Sequence, residues 1–311
     1  MHAGLQSVYD NLTSTVLGSE KAAELLITGL LADGHVLIQG APGMGKTCLA
    51  KALAASINCP FTRIQFTPDL LPSDILGYSI YDQSSAQFVF HKGPLFSHIV
   101  LADEINRTSP RTQSALLESM SEKQISVDGM THKLDRPFFV VATENYLSSA
   151  GAFPLPDSQL DRFVLSFEMD VPDAATQARI LELHADGDPA VNVRQVMSRE
   201  DLVQCQDESA KVLVSANIRE YIASLCEETR KSKKFAAGPS SRATIAIMQA
   251  ARAQAYLDGR DSVYPEDVKH VVPYCLRHRL TVKARSGQAM SHVEALVQEI
   301  VDQTAVPTKA C

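Results

Sequence analysis

The sequence predicts an α/β protein: an αβα sandwich on a five-stranded parallel sheet, followed by a smaller domain made only of helices. From about residue 15 to 167, short β-rich apolar runs alternate with stretches of helical periodicity, which is typical of a parallel sheet covered on both faces. Past Val171-Pro172-Asp173 only helical periodicity continues. A chain of 311 residues usually forms two folding units. We therefore expect a core domain at 1–170, a linker at 171–190 and a helical domain at 191–311.

Each strand of the predicted sheet is a short apolar run. The five runs are His35–Gln39, Phe61–Phe66, Ser97–Ala102, Phe138–Ala142 and Phe163–Phe167. The stretch after Lys46 repeats apolar residues at helical spacing, so it predicts an amphipathic helix packed on the sheet. A second helix is expected to begin at Ser109, with Pro110 in its first turn, where a missing N–H does no harm.

Two segments interrupt the alternation and predict β-hairpin insertions in the core domain. Tyr78–Phe90 partly alternates apolar and polar residues around a Gln-Ser-Ser tip, and an ordinary surface loop is the alternative there. Ile125–Leu134 alternates around Asp128-Gly129, which is a hairpin turn signal. In the helical domain, two sets of apolar residues share a helix face: Ile218, Tyr221, Ile222, Leu225 and Cys226, then Val268, Val271, Val272, Cys275 and Leu276.

Composition limits which molecules the protein is expected to bind and in which compartment it is expected to lie. The chain has 36 acidic and 29 basic residues and a net charge of −7, so it has no strong electrostatic footprint for general nucleic-acid binding, with local basic patches as the alternative. Its six cysteines are scattered without a CxxC pair, which favours free thiols in a reducing compartment. The start of the chain does not resemble a secretory signal, and no run reaches the roughly 20 apolar residues of a membrane-spanning helix. We expect a cytoplasmic protein.

The most specific motif is a loop that matches GxxxxGK[ST], between a predicted strand and a predicted helix. It consists of Gly40, Ala41, Pro42, Gly43, Met44, Gly45, Lys46 and Thr47, and Cys48 follows it. Glycines let the backbone N–H groups face phosphates, and the helix N-terminus adds partial positive charge. Lys46 is expected to contact the β- and γ-phosphates, and the Thr47 hydroxyl to bind Mg²⁺. The loop therefore predicts a site for ATP and Mg²⁺.

A second motif is a pair of carboxylates at the end of the apolar run that begins at Ser97. Asp103 is placed to hold Mg²⁺, directly or through a water, and Glu104 is placed to polarise an attacking water. The alternative is a solvated strand end. Because adjacent carboxylates suit hydrolysis better than transfer to a second substrate, the two motifs together favour an ATP hydrolase.

With these motifs in order, the chain resembles the AAA+ superfamily and, within it, the MoxR family. The resemblance covers nearly the whole chain in five blocks. These blocks are Gly34–Ile38 leading into the phosphate loop, Ala102–Arg107 with Thr112–Glu118 (Walker B), Ala142–Asn145 (sensor 1), Phe153–Pro156 with Leu160–Phe163 (arginine finger), and Gly238–Ala243 (sensor 2). Five blocks in the family's order are more specific than any one of them.

The resemblance implies roles for several polar side chains. Asn145 would hydrogen-bond the γ-phosphate or hold the attacking water, and an ordinary loop Asn is its alternative. Arg162 would stabilise phosphate charge in a neighbouring subunit's site, where a surface salt bridge is the alternative. Arg107 and Arg111 are other candidates for that role.

The resemblance also extends the nucleotide site beyond the phosphate loop. Arg242 would touch the nucleotide of its own subunit and couple hydrolysis to movement of a helical lid, unless it is a solvated helix start. Leu17 and Gly18, before the first predicted helix of the sheet domain, would pack near the adenine, with apolar packing in the core as the alternative. The family usually has Gln where this chain has Glu144, and the Pro239 and Ser241 positions also depart from its pattern.

For the whole protein, the resemblance implies a homo-oligomeric ring, with a hexamer expected, that acts as a chaperone-like ATPase on protein complexes. Partners containing von Willebrand factor A domains are common for the family. Both hairpins would lie in insertions that often face the ring's pore. Two alternatives stay open: a monomeric P-loop kinase acting on a small molecule, and a nucleic-acid motor of the same superfamily, whose pore hairpins would bind strands.

Overall fold

The structure, a computed structural model, describes residues 3–41, 43–145, 152–169, 171–185, 187–283 and 291–306, without the side chains at 291 and 292. The nucleotide-site prediction at Pro42 lies outside these residues. The helices are α1 Ala3–Thr15, α2 Glu20–Leu31, α3 Lys46–Ser56, α4 Pro72–Leu76, α5 Pro110–Glu122, α6 Asp157–Leu160, α7 Ala174–Leu183, α8 Arg199–Lys211, α9 Ala216–Lys231, α10 Ser241–Leu257, α11 Pro265–Leu276 and α12 Ser291–Gln303. The strands are β1 Val36–Gln39, β2 Phe61–Gln65, β3 Gly77–Asp82, β4 Gln87–Lys92, β5 Ile99–Asp103, β6 Gln124–Val127, β7 Met130–Lys133, β8 Phe139–Glu144 and β9 Leu165–Glu168.

The main sheet has five parallel strands in the order β2-β5-β8-β1-β9. All five predicted strands are present, with ends that move by one or two residues. The run predicted to stop at Ala102 continues to Asp103, because Asp103 pairs in register with Gln65 of β2. The predicted fold class is confirmed.

Alternate residues of the central strands enter two separate cores, as the period of two along a strand requires. Val36 and Ile38 pack with α1, α2, α3 and the C-terminal helices, whereas Leu37 packs with α5 on the other face. The helix predicted at Ser109 is confirmed as α5, since the Ser109 hydroxyl caps it by accepting from the Thr112 N–H at 3.4 Å. The sheet is therefore covered on both faces, and its strand ends remain accessible.

Both predicted hairpins are present. β3 pairs with β4 and β6 with β7, each antiparallel. Asp128 and Gly129 have φ of 53° and 75°, as a tight two-residue turn between twisted strands requires. The hairpins contact each other, because the rings of Phe90 and His132 stack with centroids 4.3 Å apart.

The C-terminal part is helical from α8 to α12, and the predicted apolar faces of α9 and α11 are buried. Helix α10 lies at its centre and packs on α2, α8 and α11. The predicted linker contains α7, none of whose residues is buried, and a 3₁₀ turn at Pro189–Asn192. The domain limits given above stay predictions. Among the described residues, no helix combines the length and apolarity needed to cross a membrane.

Candidate functional site

The phosphate loop lies between the end of β1 and the start of α3. Gly40, Gly43 and Gly45 have φ of 132°, 83° and 81°, a region that only glycine enters at little cost. This backbone path leads directly into the N-terminus of α3 at Lys46. The loop therefore presents main-chain amides and a positive helix end on one side, as an anion site requires.

Lys46 is held close to the loop that precedes it. Its Nζ donates a hydrogen bond to the Gly40 carbonyl at 2.7 Å, and the side chain is almost fully buried. Burial lowers the pKa of Lys46, while the nearby carboxylates of Asp103 and Glu104 act in the opposite direction. The ammonium group thus lies between the loop and the acidic pair.

Asp103 and Glu104 are joined through one hydroxyl. Thr143, on the neighbouring strand β8, donates from Oγ1 to Asp103 Oδ1 at 2.6 Å and accepts from the Glu104 N–H at 2.8 Å. Glu104 has φ of 57°, a left-handed conformation that costs a non-glycine residue about 1–3 kcal/mol. The chain turns at Glu104 as the strand ends, and Glu104 lines the same cavity as Lys46 and Thr47.

Two polar residues at the end of β2 contact the acidic pair and were missed from the sequence. Arg63 Nη2 donates to Asp103 Oδ2 at 2.6 Å, and Gln65 Nε2 donates to Glu104 Oε2 at 3.0 Å. Arg107 also pairs with Glu104 at 3.6 Å, within the same subunit. The sequence alone did not place β2 beside the acidic strand; the pairing of β2 with β5 brings Arg63 and Gln65 to this edge.

Asn145 follows β8 and is buried beside the same cavity. Its carbonyl accepts from Asn106 Nδ2 at 3.2 Å, which anchors the backbone of this residue next to Glu104. The preceding Glu144 accepts from Gln39 Nε2 at 2.9 Å, and Gln39 in turn accepts from Ser166 Oγ. Burial raises the pKa of Glu144, against the effect of Gln39. The strand ends are thus linked across the sheet.

Two adjoining cavities lie along this edge. The phosphate cavity, of 540 Å³, is lined by the loop, the acidic pair, Asn145, Arg63 and Gln65. The base cavity, of 320 Å³, is more apolar and is lined by Leu17, Gly18, Met169 and Ile180 among others. The two share Gly43, Met44, Gly45, Cys48 and His184. The structure thus brings Leu17, Gly18 and Cys48 to the phosphate loop, beside a space suited to a flat apolar group.

The donors in the phosphate cavity fit a magnesium ion bound together with phosphates. Thr47 and Asp103 both line the cavity and offer a hydroxyl and a carboxylate oxygen. Mg²⁺ prefers such oxygens, keeps several waters and takes its other ligands from phosphate. Within the described part of the chain no group of three or more His, Cys, Asp or Glu side chains could hold a metal by itself. Thr47 and Asp103 are therefore the donors that fit Mg²⁺ in this cavity.

Arg162 lies at the other end of the sheet. It precedes β9, whose four residues span about 10 Å before their carboxyl end reaches the base cavity. Its Nη1 donates to the Leu117 carbonyl at 2.6 Å and to Ser121 Oγ at 3.1 Å, both on α5. Arg162 therefore faces a separate surface and does not line the phosphate cavity of its own subunit.

The structure does not bring Arg242 to the nucleotide site of its own subunit, where it was expected. Among the described residues, those lining the phosphate and base cavities do not include it. Its Nη1 lies 3.9 Å from Asp161 Oδ2, next to Arg162, because α10 begins where the helical domain packs on the amino end of β9. Arg111 is exposed in the first turn of α5, also away from both cavities.

Comparison with known proteins supports this geometry. Residues 35–165 match the family model described as ATPase family associated with various cellular activities (AAA), and residues 227–300 match an AAA lid domain. The uncharacterized protein YeaC of Bacillus subtilis is 41% identical over 309 residues, 99% of this chain and 97% of that protein. The chaperone MoxR1 of Mycobacterium tuberculosis is 36% identical over 301 residues, 94% of this chain and 79% of that protein.

A solved structure agrees over the same length. The crystal structure of a presumed ATPase from Cytophaga hutchinsonii has a TM-score of 0.89 and 33% identity, and covers 98% of this chain and 95% of its own. The family models, the named relative and the order of the loop, the acidic pair and Asn145 around one cavity lead to the same result. This chain belongs to the MoxR family of AAA+ ATPases.

Proposed function

We propose that the chain hydrolyses ATP, with Mg²⁺, at the interfaces of a ring of identical subunits, expected to be a hexamer, and uses the energy to remodel a client protein complex. The observation that carries the proposal is the separation of two sets of groups. The phosphate loop and the acidic pair lie at the carboxyl end of the sheet, and Arg162 lies at the amino end. A complete site then needs the arginine of a second subunit.

The predicted site residues that line the phosphate cavity each have a place in this reaction. Loop amides and Lys46 bind the phosphates, and Thr47 with Asp103 would hold Mg²⁺, which would supply positive charge against the phosphates. Glu104 accepts a proton from the attacking water, while Asn145 orients that water or the γ-phosphate. Hydrolysis releases ADP and phosphate when the bond from the β,γ-bridging oxygen to the γ-phosphorus breaks and the water oxygen forms the new bond.

The neighbour's Arg162 would stabilise charge on the transferring group, a contribution of about 10³–10⁵ in rate for such arginines. Its present contacts, to a carbonyl and a hydroxyl of α5, do not neutralise its charge. Arg242 lies beside it, near Asp161, and suits the same face of the subunit.

A protein client is supported by the first hairpin and by the name of a relative. Tyr78, Ile80, Tyr81 and Phe88 are 49%, 47%, 51% and 75% exposed, which is much apolar surface for one hairpin. MoxR1 is named a chaperone. We propose the hairpin as the client contact, a von Willebrand factor A domain protein as one class of partner, and the cytoplasm as location, since the described cysteines are free thiols.

The test is a mixture of two inactive variants. Glu104→Gln subunits keep Arg162 but cannot activate water, and Arg162→Ala subunits keep an intact cavity but supply no arginine. Each alone should show almost no ATP turnover, and mixing should recover it at interfaces where a Glu104→Gln subunit faces an Arg162→Ala cavity. Light scattering verifies co-assembly, and Arg162→Ala mixed with itself is the control. Full co-assembly without recovered turnover would contradict a shared site.

A further inference from the structure

Three consecutive polar residues after α11 are buried where the helical domain meets the sheet. Arg277 and His278 are 2% and 3% exposed, and the side chain of Arg279 is 3% exposed. Burying charged groups is unfavourable unless they are well paired and hydrogen-bonded. Their partners therefore indicate what this segment, Arg277–Arg279, holds in place.

The first residue, Arg277, pairs with a side chain that lines the base cavity. Arg277 Nη2 pairs with Glu168 Oε1 at 2.7 Å, and Nη1 pairs with Glu294 of α12. Glu168 ends β9, lines the base cavity and lies in register with Gln39, the residue before the phosphate loop. The buried guanidinium of Arg277 thus connects α11 and α12 to Glu168, a side chain that lines the base cavity.

The other two residues hold the chain on both sides of Arg162. His278 Nε2 donates to the Phe163 carbonyl at 3.0 Å, and Arg279 Nη2 donates to the same oxygen at 2.6 Å. Arg279 Nε donates to Asp161 Oδ1 at 2.8 Å, and Nη2 also reaches the Asp161 carbonyl at 3.1 Å. The backbone that carries Arg162 is therefore bound at the residue before it and at the residue after it.

The helical domain completes this binding from a second element. Ser240, the N-cap of α10, donates from Oγ to Asp161 Oδ2 at 2.8 Å. Burial and the two flanking arginines hold the pKa of His278 well below its usual range, so the ring is neutral and donates through one nitrogen only. The contacts to Asp161 and Phe163 are charge pairs and hydrogen bonds from groups of fixed protonation. A movement of the helical domain would therefore be passed to the backbone on both sides of Arg162.

We propose that the segment Arg277–Arg279 is a positioning element that sets Arg162 for the neighbour's site and ties that setting to nucleotide in the subunit's own base cavity. The proposal rests on the proposed function, in which Arg162 acts in a neighbouring subunit. A nucleotide beside Glu168 changes the surroundings of Arg277, the end of α11 moves, and Arg279 carries Asp161 and Arg162 with it. Misplacing a reacting group by about 1 Å can cost about 10²-fold in rate.

The test uses the same mixture, in which turnover reports only the Arg162 of a Glu104→Gln donor acting in the cavity of an Arg162→Ala acceptor. Arg279→Lys keeps the charge but loses the fork that binds Asp161 and Phe163 together. Placed in the donor, it should lower turnover by about 10–10²-fold. Placed in the acceptor, whose own Arg162 is already removed, it should change turnover by less than about twofold.

Arg260→Lys in the donor is the matched control. Arg260 also pairs with a buried carboxylate of the helical domain, Asp267, at 2.5 Å. Its ion pairs in the described part of the chain, with Asp258 and Asp267, do not involve residues 161–163. Thermal unfolding and light scattering of every variant check folding and assembly. Equal losses from the donor and acceptor placements would show a structural role and overturn the proposal, as would no loss from either. If the unmodified mixture is inactive although co-assembled, the shared site itself fails, and the positioning role falls with it.

The link to the base cavity has its own measurement. A Lys46→Ala donor, which lacks the ammonium for phosphate binding, is compared with the ATP-holding Glu104→Gln donor in the same acceptor. We expect the neighbour's rate to differ by about fivefold or more, the lower end of usual site-to-site coupling. Adding Glu168→Gln to both donors should bring that ratio close to one. A ratio that Glu168→Gln leaves unchanged would overturn the link. Binding of a fluorescent ADP analogue to each donor confirms its occupancy independently of turnover.

Discussion

The two ends of the parallel sheet are built from different kinds of contact. At the carboxyl end, the phosphate loop and the acidic pair are short continuous segments, and their neighbours come from adjacent strands in register. At the amino end, the segment around Arg162 is held by α5, by the N-terminus of α10 and by residues that follow α11. The first end carries a local motif. The amino end depends on contacts with the helical domain, so a change in those contacts should act on the nucleotide site of the neighbouring subunit.

Replacing the proposed base should have the largest effect at the carboxyl end. Glu104→Gln keeps the size and the hydrogen bond from Gln65 but cannot accept a proton. We expect turnover to fall by about 10²–10⁴-fold with ATP affinity retained, measured by phosphate release and by nucleotide binding. Glu220→Gln, an exposed carboxylate of α9, is the control. A loss of ATP binding in step with turnover would show that Glu104 holds the nucleotide instead.

The hydroxyl that joins the acidic pair should have the next largest effect. Thr143→Ala removes the donor to Asp103 and the acceptor for the Glu104 N–H. Because the strained turn at Glu104 loses its partner, kcat should fall by about 10–10²-fold, with a smaller change in KM. Thr143→Ser keeps the hydroxyl and should restore most of the rate. Equal activity of the Thr143→Ala and Thr143→Ser variants would show that the Thr143 hydroxyl does not contribute to turnover.

The buried carboxylate of Glu144 should make stability depend on pH. Its pKa is raised by burial, so the folded state holds the proton more tightly than the unfolded chain does. Stability from this group is present below the unfolded value of 4.5 and is lost as pH rises through the folded value. Glu144→Gln should therefore raise Tm by about 2 °C or more at pH 8 and little at pH 4. Scanning calorimetry at the two pH values checks this, and an equal gain at both would contradict it.

The smallest effect is expected from Arg242, and it tests the comparison directly. Since Arg242 lies beside Asp161 at the amino end, Arg242→Ala should change the nucleotide affinity of isolated subunits by less than about twofold. Titration with a fluorescent ATP analogue measures this, and Lys46→Ala gives the scale of a direct contact. A tenfold loss of nucleotide affinity would show that Arg242 contacts the nucleotide of its own subunit.

Much of the site at the carboxyl end of the sheet was predictable because its reactive groups belong to short runs of consecutive residues. The glycines that require positive φ, Lys46 and the Asp103-Glu104 pair each belong to one short segment, and periodicity placed those segments at strand ends. Arg63 and Gln65 were missed because a single polar residue in a strand has no local signal, although the pairing of β2 with β5 places both at the site.

The amino end was predictable only in part. Arg162 was found through its motif, but Arg277 and Arg279 look like ordinary basic residues near a helix end until their burial is known. Arg242 was expected at the nucleotide because Gly238–Ala243 resembles the family's sensor 2 motif, and where α10 starts in space depends on how the helical domain packs on the sheet.

By itself the sequence determined the order of strands and helices along the chain, the phosphate loop, the acidic pair and the hairpin with the Asp128-Gly129 turn, because local backbone preferences and side-chain periodicity dictate these features. The tertiary structure alone decided which strand ends meet, which arginines are buried, and that Arg162 and Arg242 lie at the opposite end of the sheet from their own phosphate cavity. The physical reason is that such contacts join residues far apart in the chain, 40 positions for Arg63 and Asp103 and 79 for Asp161 and Ser240, and only packing of the whole chain determines their distance.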